Sequence, residues 1–342
     1  MPTPTLLIQT QYAELLERVE SAAFEAAFPE PGNFLAKQVD GRRYWYFQAP
    51  RVAGQPRPQR YVGPETPELL SRIKAHRREV QDRKERRALV SALVRSGRMP
   101  QPLPRMGQVV EALSRAGLFR LRAVLVGTMA YQCYPAMLGL RLKQAQLTTS
   151  DVDIAQFLSI SVAVGDRMDD PLTVLRAVDP SFGPAPSLDD RDPPYSYRAA
   201  GGLNVEFLTP NRGAETDAST HLPALQTQAQ PLRFLDFLIY EATPAVLLQG
   251  EGVLVNVPRP ERFAVHKLIL APRRTAAEAK SGKDLRQAAE LLAWLAEFRP
   301  HDLHDVWQEA KNRGPSWSEL LTAGFVQVPE AIQACVRRVV DP

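Results

Sequence analysis

Two aspartates separated by one residue, Asp151 and Asp153, are the strongest sign of chemistry in this sequence. They lie in a short run of alternating polar and apolar residues, which is typical of a strand. Side chains alternate faces along a strand, so both carboxylates share one face while Val152 and Ile154 point into the core. Two adjacent carboxylates repel each other unless a cation lies between them, and hard oxygen ligands suit Mg²⁺ or Mn²⁺. The pattern therefore predicts a metal site.

Gly127 and Thr128 are candidates for a phosphate site beside these aspartates. They follow a buried-strand pattern at Ala123 to Val126 and precede an apolar segment, Met129 to Leu140, with helix-like spacing. Small residues between a strand and a helix let backbone N–H groups approach a phosphate closely. Each motif alone is also typical of an ordinary turn or a solvated strand edge. A phosphate site beside a two-carboxylate metal site predicts phosphoryl or nucleotidyl transfer.

The order of these motifs (hydrophobic strand, Gly-Thr, short helix, Asp-x-Asp) resembles the nucleotidyltransferase (polymerase β-like) superfamily. It is most similar to a bacterial group of nucleotidyltransferase-fold proteins of largely unassigned function, which are related to the AbiE-type nucleotidyltransferase toxins. The resemblance covers about residues 121–292. It implies a polymerase β-like nucleotidyltransferase core, a nucleoside triphosphate (NTP) as substrate and an enzyme of the EC 2.7.7 type.

Glu206 is the candidate for a third carboxylate. It lies between Val205 and Phe207 in a strand-like run, so its side chain emerges on the face opposite these two apolar residues. If this strand neighbours the strand of Asp151 and Asp153, Glu206 completes the metal site. Members of the resembling family usually carry an acidic residue here, most often aspartate, before Leu-Thr-Pro. The alternative interpretation is a plain exposed strand carboxylate.

A later helical segment contains the candidates for binding a triphosphate. Lys267 lies in the apolar-periodic helix 261–270, Arg273 and Arg274 follow it, and Asp284 lies at the start of the next helix. Lysine and arginine neutralise phosphate charge, arginine in a bidentate manner. The AbiE-type toxins carry Lys-x-x-Ala, then Arg, then an Asp on the next helix, and these residues match that order with the alanine shifted by one. The resemblance implies that the basic residues contact the triphosphate and that Asp284 positions Lys267 or the acceptor.

The rest of the chain is predicted to hold this site in an α/β (α+β) fold with a small mixed sheet. Residues 165–198 read as irregular, and residues 232–239 as strand-rich with a helix as the alternative. We predict four units: an N-terminal helix with an antiparallel β-meander (1–66), a basic helix and linker (67–104), the nucleotidyltransferase catalytic core (105–258) and a helical C-terminal domain (259–342).

The sequence allows two alternative roles for each of two features in the N-terminal half. Ten Lys and Arg residues lie between Arg72 and Arg98. They could track a phosphate backbone, although a solvated helix face is the interpretation we favour. The meander could present an aromatic platform for bases, although we favour packing against a helix. The aromatic residues concerned are Tyr44, Trp45, Tyr46 and Tyr61.

Composition indicates the setting in which the protein works. The chain has 342 residues, a net charge of +4 and 44% hydrophobic residues, which excludes wholesale disorder. Its two cysteines, Cys133 and Cys335, have no metal-binding spacing and favour a reducing compartment. No apolar run has membrane-spanning length and the N-terminus lacks signal-peptide features, so we expect a cytoplasmic protein without a membrane partner.

These observations together predict a Mg²⁺-dependent enzyme that moves a nucleoside monophosphate from an NTP to a hydroxyl or phosphate acceptor. The basic helix and the toxin resemblance favour RNA or tRNA as acceptor, in a toxin–antitoxin or defence setting. A protein or a small hydroxylated molecule is nearly as compatible. The alternative is a non-catalytic module that holds nucleic acid or a partner protein in the same cleft.

Overall fold

The computed structural model shows a mixed α/β fold, which confirms the predicted class. Its elements are described below in chain order. The structure describes residues 4–27, 33–39, 42–48, 59–75, 79–146, 149–185, 194–211, 213, 215–216, 218–273 and 278–341.

The chain begins with helix α1 (Leu6–Ala27) and an antiparallel meander of strands β1 (Asn33–Val39), β2 (Arg42–Gln48) and β3 (Gln59–Pro64). A helix followed by a meander is the arrangement predicted for this part of the chain. Asp40-Gly41, a dipeptide that predicts a tight turn in the meander, lies outside the described residues.

Phenylalanines, rather than the predicted aromatic set, pack the meander onto α1. Phe34 and Phe47 lie opposite each other on β1 and β2, and Phe24 of α1 stacks on Phe34 with ring centroids 5.2 Å apart. Tyr46 and Tyr61 pair across β2 and β3 with their ring centroids 5.7 Å apart, and both are half-buried. Since side chains alternate along β2, Tyr46 lies on the face opposite Phe47. The favoured packing role therefore belongs to the phenylalanines.

Helices α2 (Pro67–Ala75) and α3 (Glu79–Arg95) carry the basic block. Thr66 caps α2, as its position before a proline predicts, and accepts a hydrogen bond from the Leu69 N–H at 3.1 Å. Part of the block is used in packing, because Arg86 is buried and pairs with Asp82 and Glu251.

The region after this basic block begins with α4 (Pro104–Arg115) and contains, in the described residues, one seven-stranded mixed sheet. The strands run in the order β4-β5-β8-β10-β9. Strand β7 pairs with β6 and with residues 204–206 of β8, on the same edge of β8 that β10 occupies at residues 208–210. Their bounds, with the helices between them, are β4 (Val124–Val126), α5 (Gly127–Tyr131), α6 (Tyr134–Leu138), β5 (Asp151–Ala155), α7 (Leu158–Ala163), α8 (Pro171–Val178), β6 (Gly183–Pro184), β7 (Ser196–Arg198), β8 (Asn204–Pro210), β9 (Thr220–Leu222) and β10 (Thr227–Leu232).

Helix α9 (Leu235–Ile239) and a hairpin of β11 (Thr243–Leu247) and β12 (Val253–Val257) lead to the helical C-terminal region. That region contains α10 (Pro260–Leu270), α11 (Glu278–Phe298), α12 (Pro300–Asn312), α13 (Pro315–Phe325) and α14 (Glu330–Val340). One buried apolar cluster runs from Met106 of α4 to Val340 of α14, so the sheet and the C-terminal helices share a core. The division into four units stays a prediction.

No helix in the described part of the chain is long and apolar enough to cross a membrane.

Candidate functional site

Strands β5 and β8 bring the three predicted metal-binding carboxylates to one face of the sheet. The two strands are parallel neighbours, with Asp151 opposite Asn204 and Asp153 opposite Glu206. The apolar residues between them in sequence, Val152 among them, are buried on the other face. The neighbouring position of the two strands, on which the predicted role of Glu206 depended, is present in the fold.

Gly127 lies directly against one of these carboxylates. Strand β4 is antiparallel to β5, and Val126 lies opposite Asp153, so the chain turns into α5 beside Asp153. Gly127 has a φ of +64°, which favours glycine, and a Cβ added there would lie 3.2 Å from Asp153 Cγ and closer still to its Oδ2. The turn therefore requires glycine for two independent reasons.

Gly127→Ala is expected to disturb the site as well as the backbone. Left-handed strain for a non-glycine residue costs about 1–2 kcal/mol, and the new Cβ would also displace Asp153. Gly165→Ala is the matched control, because Gly165 has the same φ of +64° and open space around its Cβ position. We expect a loss of unfolding free energy in urea titrations of both variants, but a loss of the activity of this site in Gly127→Ala alone. Equal activity of the two variants would show that the close approach of the turn to Asp153 does not matter for the site.

A cavity of about 390 Å³ opens over this face of the sheet, and helices α10 and α11 form its other side. Gly127, Thr128, Asp151, Asp153 and Glu206 line it from the sheet side, and Lys267 and Asp284 line it from the helical side. An apolar part of the lining consists of leucines and Phe263, and further polar residues complete it. The cavity thus has a charged part and an apolar part, which suits a ligand with both.

Lys267 and Asp284 form a buried ion pair at the cavity wall. Lys267 Nζ donates to Asp284 Oδ1 at 2.5 Å, and the two side chains are 10% and 3% exposed. The ammonium also lies 5.2 Å from the centroid of the Phe263 ring. The pair joins α10 to α11 and holds the ammonium where it contributes to the cavity lining.

Lys283 is a cavity residue that sequence reasoning missed. Its half-buried side chain lines the cavity beside Asp284. Burial lowers the pKa of Lys283, and the like charge of Lys267 lowers it further, while Asp284, Asp151 and Asp153 act in the opposite direction. Lys283 therefore lies within electrostatic reach of the β5 aspartates. Its position next to Asp284 was the available signal, although the sequence places these residues at a helix start and α11 already begins at Glu278.

A short hydrogen-bond chain orients Glu206. The buried Asn204 donates from Nδ2 to Glu206 Oε1 at 2.7 Å, and Ser196 Oγ of β7 donates to Asn204 Oδ1 at 3.0 Å. Asn204 and Glu206 are two residues apart on β8 and therefore share a face. These two hydrogen bonds hold the Glu206 carboxylate along β8.

Arg273, one of the predicted phosphate-binding residues, is not among the described residues that line the cavity. Arg273 donates to Glu215 Oε1 at 2.9 Å and lies over the Phe234 ring, 5.2 Å from its centroid. These contacts occupy its guanidinium elsewhere, so the cavity lining gives no support to its predicted role. Arg274 lies outside the described residues.

The residues at the carboxylate face fit a divalent ion. They supply carboxylate oxygens from two adjacent strands, and the glycine turn leaves beside Asp153 a space that any Cβ would fill. Among the residues that the structure describes, no group of three or more His, Cys, Asp and Glu side chains has the spacing of a metal centre. The hydrogen bond from Asn204 holds the Glu206 carboxylate along β8.

Carboxylates on adjacent strands, a glycine turn and lysines on two facing helices are together typical of proteins that act on phosphate-bearing substrates. A family model described as nucleotidyltransferase matches residues 104–312, more than half of the chain. The protein belongs to this nucleotidyltransferase family. Membership supports nucleotidyl transfer as the general activity, and the family generally uses an NTP and a divalent metal ion.

The chain is also similar to a solved structure, an antigenic nucleotidyltransferase-like protein from Paracoccidioides brasiliensis. The two are 16% identical, with a TM-score of 0.30 over 66% of this chain and 95% of that one. No curated protein sequence matches the chain.

Proposed function

We propose that the protein transfers a nucleoside monophosphate from an NTP to a hydroxyl or phosphate acceptor and releases pyrophosphate, with Mg²⁺ or Mn²⁺ as cofactor. The register that sets Asp151, Asp153 and Glu206 on one face beside the Gly127 turn carries this proposal. In the reaction, an acceptor oxygen forms a bond to the α-phosphorus. The bond between the α-phosphorus and the oxygen that bridges it to the β-phosphorus breaks, and pyrophosphate leaves with that oxygen. A hydroxyl acceptor also loses its proton.

The carboxylates and the turn would divide the work. Asp151, Asp153 and Glu206 would hold the ion, which when bound stabilises charge on the attacking and leaving oxygens. Gly127 and Thr128 would hold the triphosphate through backbone N–H groups at the end of β4. The hydrogen bond from Asn204 would keep the Glu206 carboxylate oriented towards this face.

The helical side would offset the negative charge of the triphosphate. Lys267 and Lys283 both line the cavity and bring two ammonium groups to it. The 2.5 Å contact of Asp284 with Lys267 supports a positioning role for Asp284, the first of its two predicted roles. Arg273 and Arg274 stay predictions as phosphate ligands. Arg273 would have to leave Glu215 in order to take part.

RNA, in particular tRNA, is the acceptor that we favour. The reaction would be similar to that of the AbiE-type toxins and would take place in the cytoplasm. The exposed basic residues of α3 would add attraction for a phosphate backbone. They are Arg83, Lys84, Arg87 and Arg95. A protein side chain or a small hydroxylated molecule is the competing acceptor, and a toxin–antitoxin or defence role is the proposed setting.

Incubation of the protein with each α-labelled NTP, Mg²⁺ and total cellular RNA or lysate tests the proposal. We expect label in RNA, release of pyrophosphate and loss of both when the metal ion is chelated. Mg²⁺-dependent protection by an NTP in a thermal melt would accompany this result. If no species is labelled with any NTP and either metal, the protein is not a transferase under this proposal. Salt-sensitive RNA binding that Asp151→Asn leaves unchanged would then favour the non-catalytic module.

A further inference from the structure

Arg198 lies at the far side of the carboxylate face from the glycine turn. Across this face the strands follow the order β4-β5-β8, and β7 pairs with residues 204–206 of β8 on the edge away from β5. In one row of the sheet Asp151 lies opposite Asn204, and Asn204 lies opposite Arg198. Directly opposed residues share a face, so Arg198 projects to the same side as the carboxylates, about 10 Å from Asp151 along the sheet. It lines the cavity.

The guanidinium of Arg198 differs from the other cavity cations in its surroundings. Lys267 is buried against Asp284, and Lys283 lies within reach of the β5 aspartates. Arg198 is exposed, and no carboxylate in the described part of the chain forms an ion pair with it. Its ladder partner Asn204 is neutral. Its charge is therefore open to an anion that enters the cavity.

The geometry of the transfer decides which anion this would be. In nucleotidyl transfer the attacking and leaving oxygens lie roughly in line on opposite sides of the phosphorus. The triphosphate is proposed to bind at the β4 turn, with Lys283 near the β5 aspartates. The acceptor then approaches over β8 and β7, where Arg198 is the cationic side chain of the cavity lining. A guanidinium binds a phosphate through paired hydrogen bonds.

Resting on the nucleotidyl transfer proposed above, we propose that Arg198 binds the phosphodiester next to the acceptor hydroxyl, so that the acceptor is an oligonucleotide end. A protein hydroxyl or an unphosphorylated small molecule has no phosphodiester next to the reacting oxygen for a guanidinium to bind in a bidentate manner. Arg198 acts here as a binding residue that selects the acceptor, and the NTP site does not depend on it.

Two RNA oligonucleotides of one sequence test this assignment, one natural and one with a neutral methylphosphonate at its last linkage. Transfer from saturating labelled NTP and binding without NTP, by fluorescence anisotropy, are measured for the wild type, Arg198→Gln and Arg198→Lys. Arg338→Gln is the matched control, because Arg338 is an exposed arginine on α14 outside the cavity lining. Thermal melts establish that the variants fold.

We expect the wild type and Arg338→Gln to prefer the natural oligonucleotide by roughly 10- to 100-fold in kcat/KM, as one charged hydrogen-bonded contact provides. Arg198→Gln should lose this preference with its KM for NTP unchanged, and Arg198→Lys should recover part of it. Equal use of the two oligonucleotides by the wild type, or labelling of only a protein or a small molecule, would overturn the assignment and leave nucleotidyl transfer intact. If the wild type labels no acceptor at all, the proposed function fails. In that case the anisotropy measurement still tests Arg198, because equal binding of the two oligonucleotides by the wild type would overturn its assignment.

Discussion

Asp153→Asn and Asp151→Asn are each expected to abolish nucleotidyl transfer while leaving the fold intact. Each substitution keeps the shape of the side chain and removes one of the charges that would hold the ion. A bound metal ion supplies several kcal/mol of charge stabilisation in such reactions, so the rate should fall by roughly 100-fold or more. Both side chains are half-buried on the cavity side of β5, whereas Val152 and Ile154 supply its core face. Thermal stability should therefore stay unchanged or rise, since removing one carboxylate relieves like-charge repulsion.

A labelled-NTP assay measures the expected loss of transfer, and thermal melting measures whether the fold stays intact. Asp169→Asn is the matched control, because Asp169 is an exposed aspartate that does not line the cavity. Mg²⁺-dependent protection by NTP in the melt should disappear in the two β5 variants and persist in Asp169→Asn. Wild-type rates in Asp153→Asn would reject the metal-site assignment, even if the protein proves to be a transferase.

The carboxylate face was predictable from the sequence because a strand repeats every two residues. The alternation around Asp151 and Asp153, and around Glu206, determines which side chains leave the core face, whatever the fold. That β5 and β8 are neighbours was a condition of the prediction and not a result of it. Strand pairing depends on contacts between distant segments, which local patterns do not contain.

The position of Arg198 could not be predicted, because β7 has three residues and lies in the stretch 165–198 that reads as irregular. A strand this short is defined by its pairing with β8 and not by its own pattern. The same stretch contains α8, which Asp170 caps through the Thr173 N–H at 2.9 Å. Residues 232–239 contain α9 instead of a strand, since a short apolar run fits either element.

The basic residues on and after α10 show a second limit of prediction from the sequence. Lys267 and Arg273 are six residues apart and were predicted to share one role. In the fold Lys267 faces α11 and the cavity, while Arg273 ends a 3₁₀ turn and contacts Glu215 and Phe234. The orientation of a helix in its packed position decides which of its charges faces a site, and periodicity alone does not determine that orientation when most of α10 is buried.

Breaking the Lys267–Asp284 pair is expected to have the largest effect on stability. Asp284→Ala leaves the Lys267 ammonium in a nearly buried position without its 2.5 Å partner, and loss of one member of a buried pair costs about 3–5 kcal/mol. Adding Lys267→Met should restore most of the unfolding free energy, because a methionine side chain can occupy the same space without charge. Urea titrations of the two single variants and the double variant measure these changes.

Transfer activity separates the structural role of this pair from its role at the site. The double variant should be stable and yet impaired, with a raised KM for NTP, because it lacks one of the two cavity ammonium groups proposed to offset the triphosphate. Glu309→Ala is the matched control. Glu309 of α12 pairs at 2.7 Å with the buried Arg262, which lies on α10 like Lys267, and neither residue lines the cavity. It should lose stability and keep the KM of the wild type. A double variant with wild-type KM and rate would show that Lys267 stabilises the helix pair only, leaving Lys283 as the cation at the triphosphate.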